Sequence, residues 1–151
     1  AVKGAYLYKL LAFVDWPASV FSAPNSPIVI CILGRDPFGA ALDKMVAGQR
    51  IGAHLVSVRR DVTPGDATCQ VAFVDFSDPQ AEGDALRGFD GKPVLTVTDS
   101  DAPAPGVIAF VLEKNHVRFD IDDDAATRDG LAISSKLLDL ARNVKPRKAT
   151  P

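Results

Sequence analysis

The sequence predicts an α/β fold: a single compact domain with a mostly parallel sheet flanked by helices and a C-terminal antiparallel hairpin. Three observations predict it. Short apolar runs alternate with helix-like segments from Ile28 to Thr98, the rhythm of strand–helix–strand crossovers in a parallel sheet. The rhythm then changes, with Val107–Leu112 and Val117–Ile121 flanking Glu113-Lys114-Asn115-His116 at hairpin spacing, although this turn lacks the favoured Asn-Gly pair. The 151 residues suit one domain that buries about two-thirds of its unfolded surface.

The elements follow in order. From Val2 to Val14, Ala5, Leu7, Tyr8, Leu11, Ala12 and Val14 give the wide apolar face of an opening helix. Trp16-Pro17 ends it, because the residue before proline avoids the helical region. Ser19–Pro27 reads as a polar loop. Ile28–Leu33 is continuous, apolar and β-branched, so it predicts a strand covered on both faces. Asp36 is placed to cap a helix, with Pro37 at its first position, running from about Phe38 to Val46. His54–Arg60 alternates as a strand, and Asp61–Thr68 is rich in turn residues. Val71–Phe76 is the third strand, Asp78-Pro79 opens a short helix to about Leu86, and Pro93–Thr98 is the fourth strand. Ala125–Gly130 predicts a short helix and Ser134 caps a last one through Val144, unless Asp124 and Ser134 compete as caps of one bent helix. The domain therefore spans 1–144, and 145–151 is a polar basic tail, read as frayed or, less simply, as an anchor for anionic lipid.

Composition excludes several classes. The formal net charge is −2, from 17 basic and 19 acidic side chains, and no basic stripe suited to nucleic acid is present. No apolar run approaches the roughly 18 residues of a membrane span. The chain starts at Ala1 directly on a helical pattern, which fits a processed secreted protein or a trimmed chain.

Few residues point to chemistry. Cys31 lies within Ile28–Leu33 and Cys69 precedes Val71–Val74, without a CxxC or neighbouring histidines. They form either a disulfide or two separate buried thiols. A bridge would close a loop of roughly 38 residues and contribute on the order of 4 kcal/mol. Gly34-Arg35-Asp36-Pro37-Phe38-Gly39 follows the first strand, where parallel sheets hold ligands, but matches neither GxGxxG nor GxxxxGK[ST]. It reads as a structural turn, with an anion site assisted by Arg35 as the alternative. Asp120, Asp122, Asp123 and Asp124 lack the glycine and distal glutamate of a calcium loop, so helix capping or a charged binding rim accounts for them. His54 and His116 have no evident partner residue. Asp99 and Asp101 could face a cleft with Arg35, on topology alone. Phe13, Trp16 and Phe21 cluster near the end of the first helix, as core packing or as a hot spot for a partner. No catalytic, cofactor-binding or metal-binding residue is predicted.

Taken together, the segments resemble the YfiR-like family of bacterial periplasmic regulatory proteins over nearly the whole chain. The blocks are Val2-Lys3-Gly4-Ala5-Tyr6-Leu7-Tyr8-Lys9, Phe13-Val14-Asp15-Trp16-Pro17, Ile30-Cys31-Ile32-Leu33-Gly34-Arg35-Asp36-Pro37-Phe38-Gly39, Cys69-Gln70-Val71-Ala72-Phe73-Val74, Gly91-Lys92-Pro93-Val94-Leu95-Thr96-Val97-Thr98-Asp99, and Val117-Arg118-Phe119-Asp120-Ile121 followed by Ser134-Ser135-Lys136-Leu137-Leu138. Their order and spacing carry the resemblance. It implies a compact α/β domain exported by a cleaved signal peptide, a disulfide between Cys31 and Cys69, and a homodimer. It also implies a non-enzymatic inhibitor of the periplasmic sensor domain of an inner-membrane diguanylate cyclase. Such a protein lowers cyclic di-GMP output and biofilm formation, and an outer-membrane-associated lipoprotein sequesters it. Two departures from the family pattern stand out: Pro105-Gly106 in place of paired glycines, and Asp122 in place of asparagine. The expected partner surface draws on Phe13, Trp16, Phe21, Arg35, Asp99 and Asp122. The alternative is a periplasmic small-ligand-binding or adaptor module for a membrane sensor kinase, with a polar pocket near Gly34–Gly39 and Asp99.

Overall fold

A computed structural model describes residues 2–148 of the chain. The elements are α1 (Val2–Leu10), β1 (Val14–Asp15), a 3-10 turn (Ala18–Val20), β2 (Ile28–Gly34), α2 (Ala40–Val46), β3 (Arg50–Ile51), β4 (His54–Arg59), β5 (Val71–Asp75), α3 (Pro79–Gly88), β6 (Leu95–Thr98), β7 (Ile108–Glu113), β8 (His116–Asp122), α4 (Asp123–Arg128), β9 (Ala132–Ile133), α5 (Ser135–Leu140) and β10 (Asn143–Lys145). The main sheet has eight strands in the order β10-β8-β7-β6-β5-β2-β4-β3, and β1 pairs with β9 beside it. Strands β4, β2, β5, β6 and β7 run parallel, while β8 and β3 turn back antiparallel. This is the α/β domain with a largely parallel sheet and a C-terminal antiparallel pair that the rhythm of the sequence predicts.

Each sheet face has its own core. Ile28, Ile30 and Ile32 of β2 face α1 and α2, together with Phe73, Val97, Phe110 and Phe119. Gly4 of α1 faces Phe38, Leu42 and Met45, where an added Cβ would make ordinary van der Waals contact at 3.5 Å from the Phe38 ring. Val29, Cys31 and Leu33 face the other way, toward α3 and the 60–70 connection, with Cys69, Ala72, Val74, Ala85 and Phe89. Continuous burial along β2 follows from this two-sided cover.

Cys31 and Cys69 form a disulfide with a Cα–Cα distance of 5.8 Å. Gln70, next in sequence, is 1% exposed. Its side-chain Oε1 accepts the Val29 N–H at 2.7 Å, and its own N–H donates to the Val29 carbonyl at 2.9 Å. The Gln70 carbonyl accepts both Leu95 N–H at 2.8 Å and Trp16 Nε1–H at 2.9 Å. One residue thus ties β2, β5, β6 and the segment after β1 together, beside the covalent bridge.

Several boundaries differ from the sequence reading, each for a tertiary reason. The first helix stops at Leu10 rather than Val14, because Val14 pairs with Ile133 in the β1–β9 ladder. Helix α2 starts at Ala40, since the Asp36 carboxylate instead accepts the N–H groups of Phe38 and Gly39, and Gly39 has φ +56°. The last helix ends at Leu140, where Arg142 donates its N–H to Phe119 and β10 adds to β8. Lys145 therefore belongs to a strand, and Arg147 reaches Asp123 at 3.3 Å. The rest of the basic tail, 149–151, lies outside the described residues. Asp122, not Asp124, caps α4 by accepting the Ala125 N–H at 2.9 Å. The hairpin turn has Lys114 and Asn115 at φ +51° and +64°, the primed geometry that suits strand twist without an Asn-Gly pair.

The β6–β7 connection is unusual for parallel neighbours, because it contains no helix. The returning segment lies on β6 itself. Thr98 Oγ1 accepts Gly106 N–H and Thr96 Oγ1 accepts Val107 N–H, both at 3.0 Å. Gly106 is required for this approach, since a Cβ would sit 2.9 Å from the Thr96 carbonyl oxygen.

Two stability predictions follow. Replacing both cysteines with alanine lowers the unfolding free energy by roughly 2–4 kcal/mol in chemical denaturation, and the oxidised wild type yields no alkylatable thiol, folded or denatured, until a reductant is added. Gln70→Ala leaves the buried Val29 N–H without its 2.7 Å partner and costs about 1–3 kcal/mol in the same assay.

Candidate interaction surface

The amino-terminal end of the parallel sheet carries an aromatic groove. It forms where the chain leaves α1, crosses β1 and enters β2. Trp16 and Phe21 line a cavity of about 190 Å³ with Leu11, Ile28, Ile51 and His54. A second cavity of about 360 Å³ adjoins it, sharing Phe21 and His54. Local chemistry fixes the walls. Trp16 is held by its hydrogen bond to Gln70, and Phe21 stacks on the His54 ring with centroids 3.8 Å apart. His54 Nδ1–H donates to the Ser26 carbonyl at 2.6 Å, so the ring is oriented by the loop it supports. Trp16 and Phe21 are half-buried and pack against the main core, so they serve packing and still present surface. Phe13 is also half-buried on that core, and its carbonyl accepts the Ser134 N–H.

Arg35 and Asp99 lie at the opposite end. Strand β2 spans seven residues, about 20 Å of extended chain. At this carboxyl end Arg35 pairs with Asp75 at 2.6 Å and lies 3.9 Å from Asp101, while Asp99 pairs with Lys3 at 2.6 Å. In a 2-1-3-4-5 strand order, the crevice between the first and third parallel strands is where ligands enter. Here the corresponding strands are β2 and β5, and their ends are closed over. Gly34 stands against Asp75, with room for no Cβ, and Arg35 N–H donates to the Asp75 carbonyl at 2.7 Å. The N–H groups after the turn, which an anion would need, are already taken by Asp36. Arg60 locks this turn through Asp36 at 2.7 Å and Asp43 at 2.8 Å.

Asp122 occupies a third place. It joins Pro105 and Gly106 in lining two adjoining cavities, of about 90 and 240 Å³, on the side of β7 and β8 that faces away from α1. The two departures noted in the sequence thus meet in one groove. The six candidates therefore divide between the two ends of the sheet and this lateral groove, and do not form one continuous site.

Sequence reasoning missed two residues that matter here. Gln70 is polar and sits between a cysteine and an apolar run, and nothing in its neighbours signals that it anchors three strands. His54 completes the aromatic groove only because β4 lies beside β2. Among the described residues, no group of three or more histidine, cysteine, aspartate or glutamate side chains could hold a metal ion. No helix among them is long and apolar enough to cross a membrane.

No curated protein matches the chain. A family model described as YfiR/HmsC-like matches residues 1–142, spanning every element up to the segment before β10. With the disulfide and the fold in place over that same stretch, the chain belongs to the YfiR/HmsC-like family.

Proposed function

We propose that this protein is a non-catalytic regulator of the bacterial periplasm. It binds the periplasmic sensor domain of an inner-membrane diguanylate cyclase and favours the inactive arrangement of that domain. Cyclic di-GMP output and biofilm formation then fall. Family membership over residues 1–142 carries this reading. The disulfide supports it, because such a bond persists in an oxidising compartment. The same reading includes a homodimer and release by an outer-membrane-associated lipoprotein that competes for the protein.

The binding surface in this reading is the Trp16–Phe21–His54 groove. Half-buried aromatic side chains on a rigid frame lose little conformational entropy when they are covered, which is the usual physics of an interface hot spot. The frame is rigid here for a specific reason: the groove's inner wall hangs from Gln70, one residue from the covalent bridge. Binding shifts the sensor's population only by the difference in affinity between its two states, so the surface must distinguish them.

Isothermal titration of the oxidised protein with purified sensor domains of its host's cyclases and kinases tests this. Selective micromolar or tighter binding to a cyclase sensor is expected. Phe21→Ala, which leaves the Trp16–Gln70 bond intact, should weaken it about tenfold or more with the fold retained. Binding to a kinase sensor alone would transfer the surface to the sensor-kinase module, and unchanged affinity in Phe21→Ala would remove the groove from the interface.

A further inference from the structure

Glu82 has an environment unlike that of any other carboxylate described in the chain. It lies on α3 and is 0% exposed. Its Oε1 accepts the Phe76 N–H at 3.1 Å, and its Oε2 is buried with no hydrogen-bond partner among the described residues. The charged groups that face it come from three elements: Asp75 at the end of β5, Arg35 just after β2, and Asp101 in the β6–β7 connection. These are the groups that close the crevice at the carboxyl ends of β2 and β5.

We propose that Glu82 is a proton-binding site that latches the first turn of α3 against the end of β5, so that ambient pH sets how firmly that turn is held. A neutral carboxyl satisfies the geometry. It accepts the Phe76 N–H and keeps the second, buried oxygen uncharged. Ionisation strengthens the bond to Phe76 but leaves a charged oxygen buried without a donor, beside the like charge of Asp75. Burial holds the Glu82 carboxyl above its usual range, with Asp75 and Asp101 adding to the effect and the Phe76 N–H and Arg35 opposing it.

Relief requires water at Oε2, and the structure shows what must move. The first turn of α3 is held by Asp78, whose carboxylate accepts the Ala81 N–H at 2.9 Å and whose carbonyl accepts the Glu82 N–H at 3.0 Å. The later turns are fixed by Ala85 and Phe89 in the disulfide-side core. The segment from Phe76 to Ala81 is therefore the moving part, and its lifting uncovers Glu82 and the buried carboxylate of Asp75. The sign follows from linkage. Glu82 binds its proton more tightly folded than unfolded, so its contribution is complete at low pH and is lost as pH rises through its folded-state midpoint.

The test is hydrogen exchange and carboxyl carbon NMR on the intact oxidised protein, from about pH 5 to about pH 8. After correction for intrinsic rates, protection of the Phe76 and Ala81 amides should fall at least about tenfold across this range in wild type. It should stay flat in Glu82→Gln, which keeps the acceptor and removes the charge. Asp75→Asn should move the Glu82 midpoint downward, since it removes a like charge and frees Arg35. Equal pH dependence in wild type and Glu82→Gln would overturn the proposal. So would a Glu82 carbon that titrates in the ordinary carboxylate range, a result that needs only the wild-type protein.

Discussion

The structure depends on one knot, in which Cys31 is bonded to Cys69 and Gln70 is hydrogen-bonded around it. A parallel sheet has no hairpins to set its register. Strands β2 and β5 are neighbours separated by a helix, a hairpin and a long turn-rich connection. Closing so long a loop costs entropy before any contact offsets it. The bridge reduces that cost in the unfolded chain. Gln70 then fixes the register, because its side chain and backbone N–H address the same residue, Val29. The carbonyl of Gln70 passes the constraint outward, to β6 through Leu95 and to the groove through Trp16.

Much of this fold was legible in the sequence. Local signals there agree with the tertiary result. Ile28–Leu33 is apolar throughout because both faces of β2 are covered, and Asp78-Pro79 starts α3 because a capping carboxylate and a proline both suit a first turn. Legibility failed where the partner decides the conformation. Val14 and Val144 fit a helical pattern, yet each is drawn into a ladder, with Ile133 and with Ile121. The β6–β7 return has no sequence signal, since it depends on two threonine hydroxyls meeting two backbone N–H groups. Nothing in the sequence around Glu82 signals its burial, which comes from the stacking of α3 on β5. Of the candidate surface, the aromatic cluster was visible as composition, whereas its partner His54 and its anchor Gln70 were not.

The separation of the candidates has a functional consequence. The aromatic groove and the Arg35–Asp75 closure lie at opposite ends of the same strands. A single partner domain that covers the groove does not need the closed end. The two ends are nonetheless joined by β2, which carries the disulfide at its middle. Loss of the bridge is therefore expected to loosen both, and redox state becomes a property of the whole domain and not of one surface.

The central proposal is that the groove at the amino-terminal end of the sheet is where the protein meets the sensor domain of a cyclase. The most direct measurement is a hydrogen-exchange footprint of the oxidised protein, free and bound to the cyclase sensor domain. The account predicts new protection in the stretch from Leu11 to Ser26 and around Ile51–His54, with Gly34–Gly39 unchanged. Protection confined to the carboxyl end of the sheet, or to the Pro105–Asp122 groove, would contradict it.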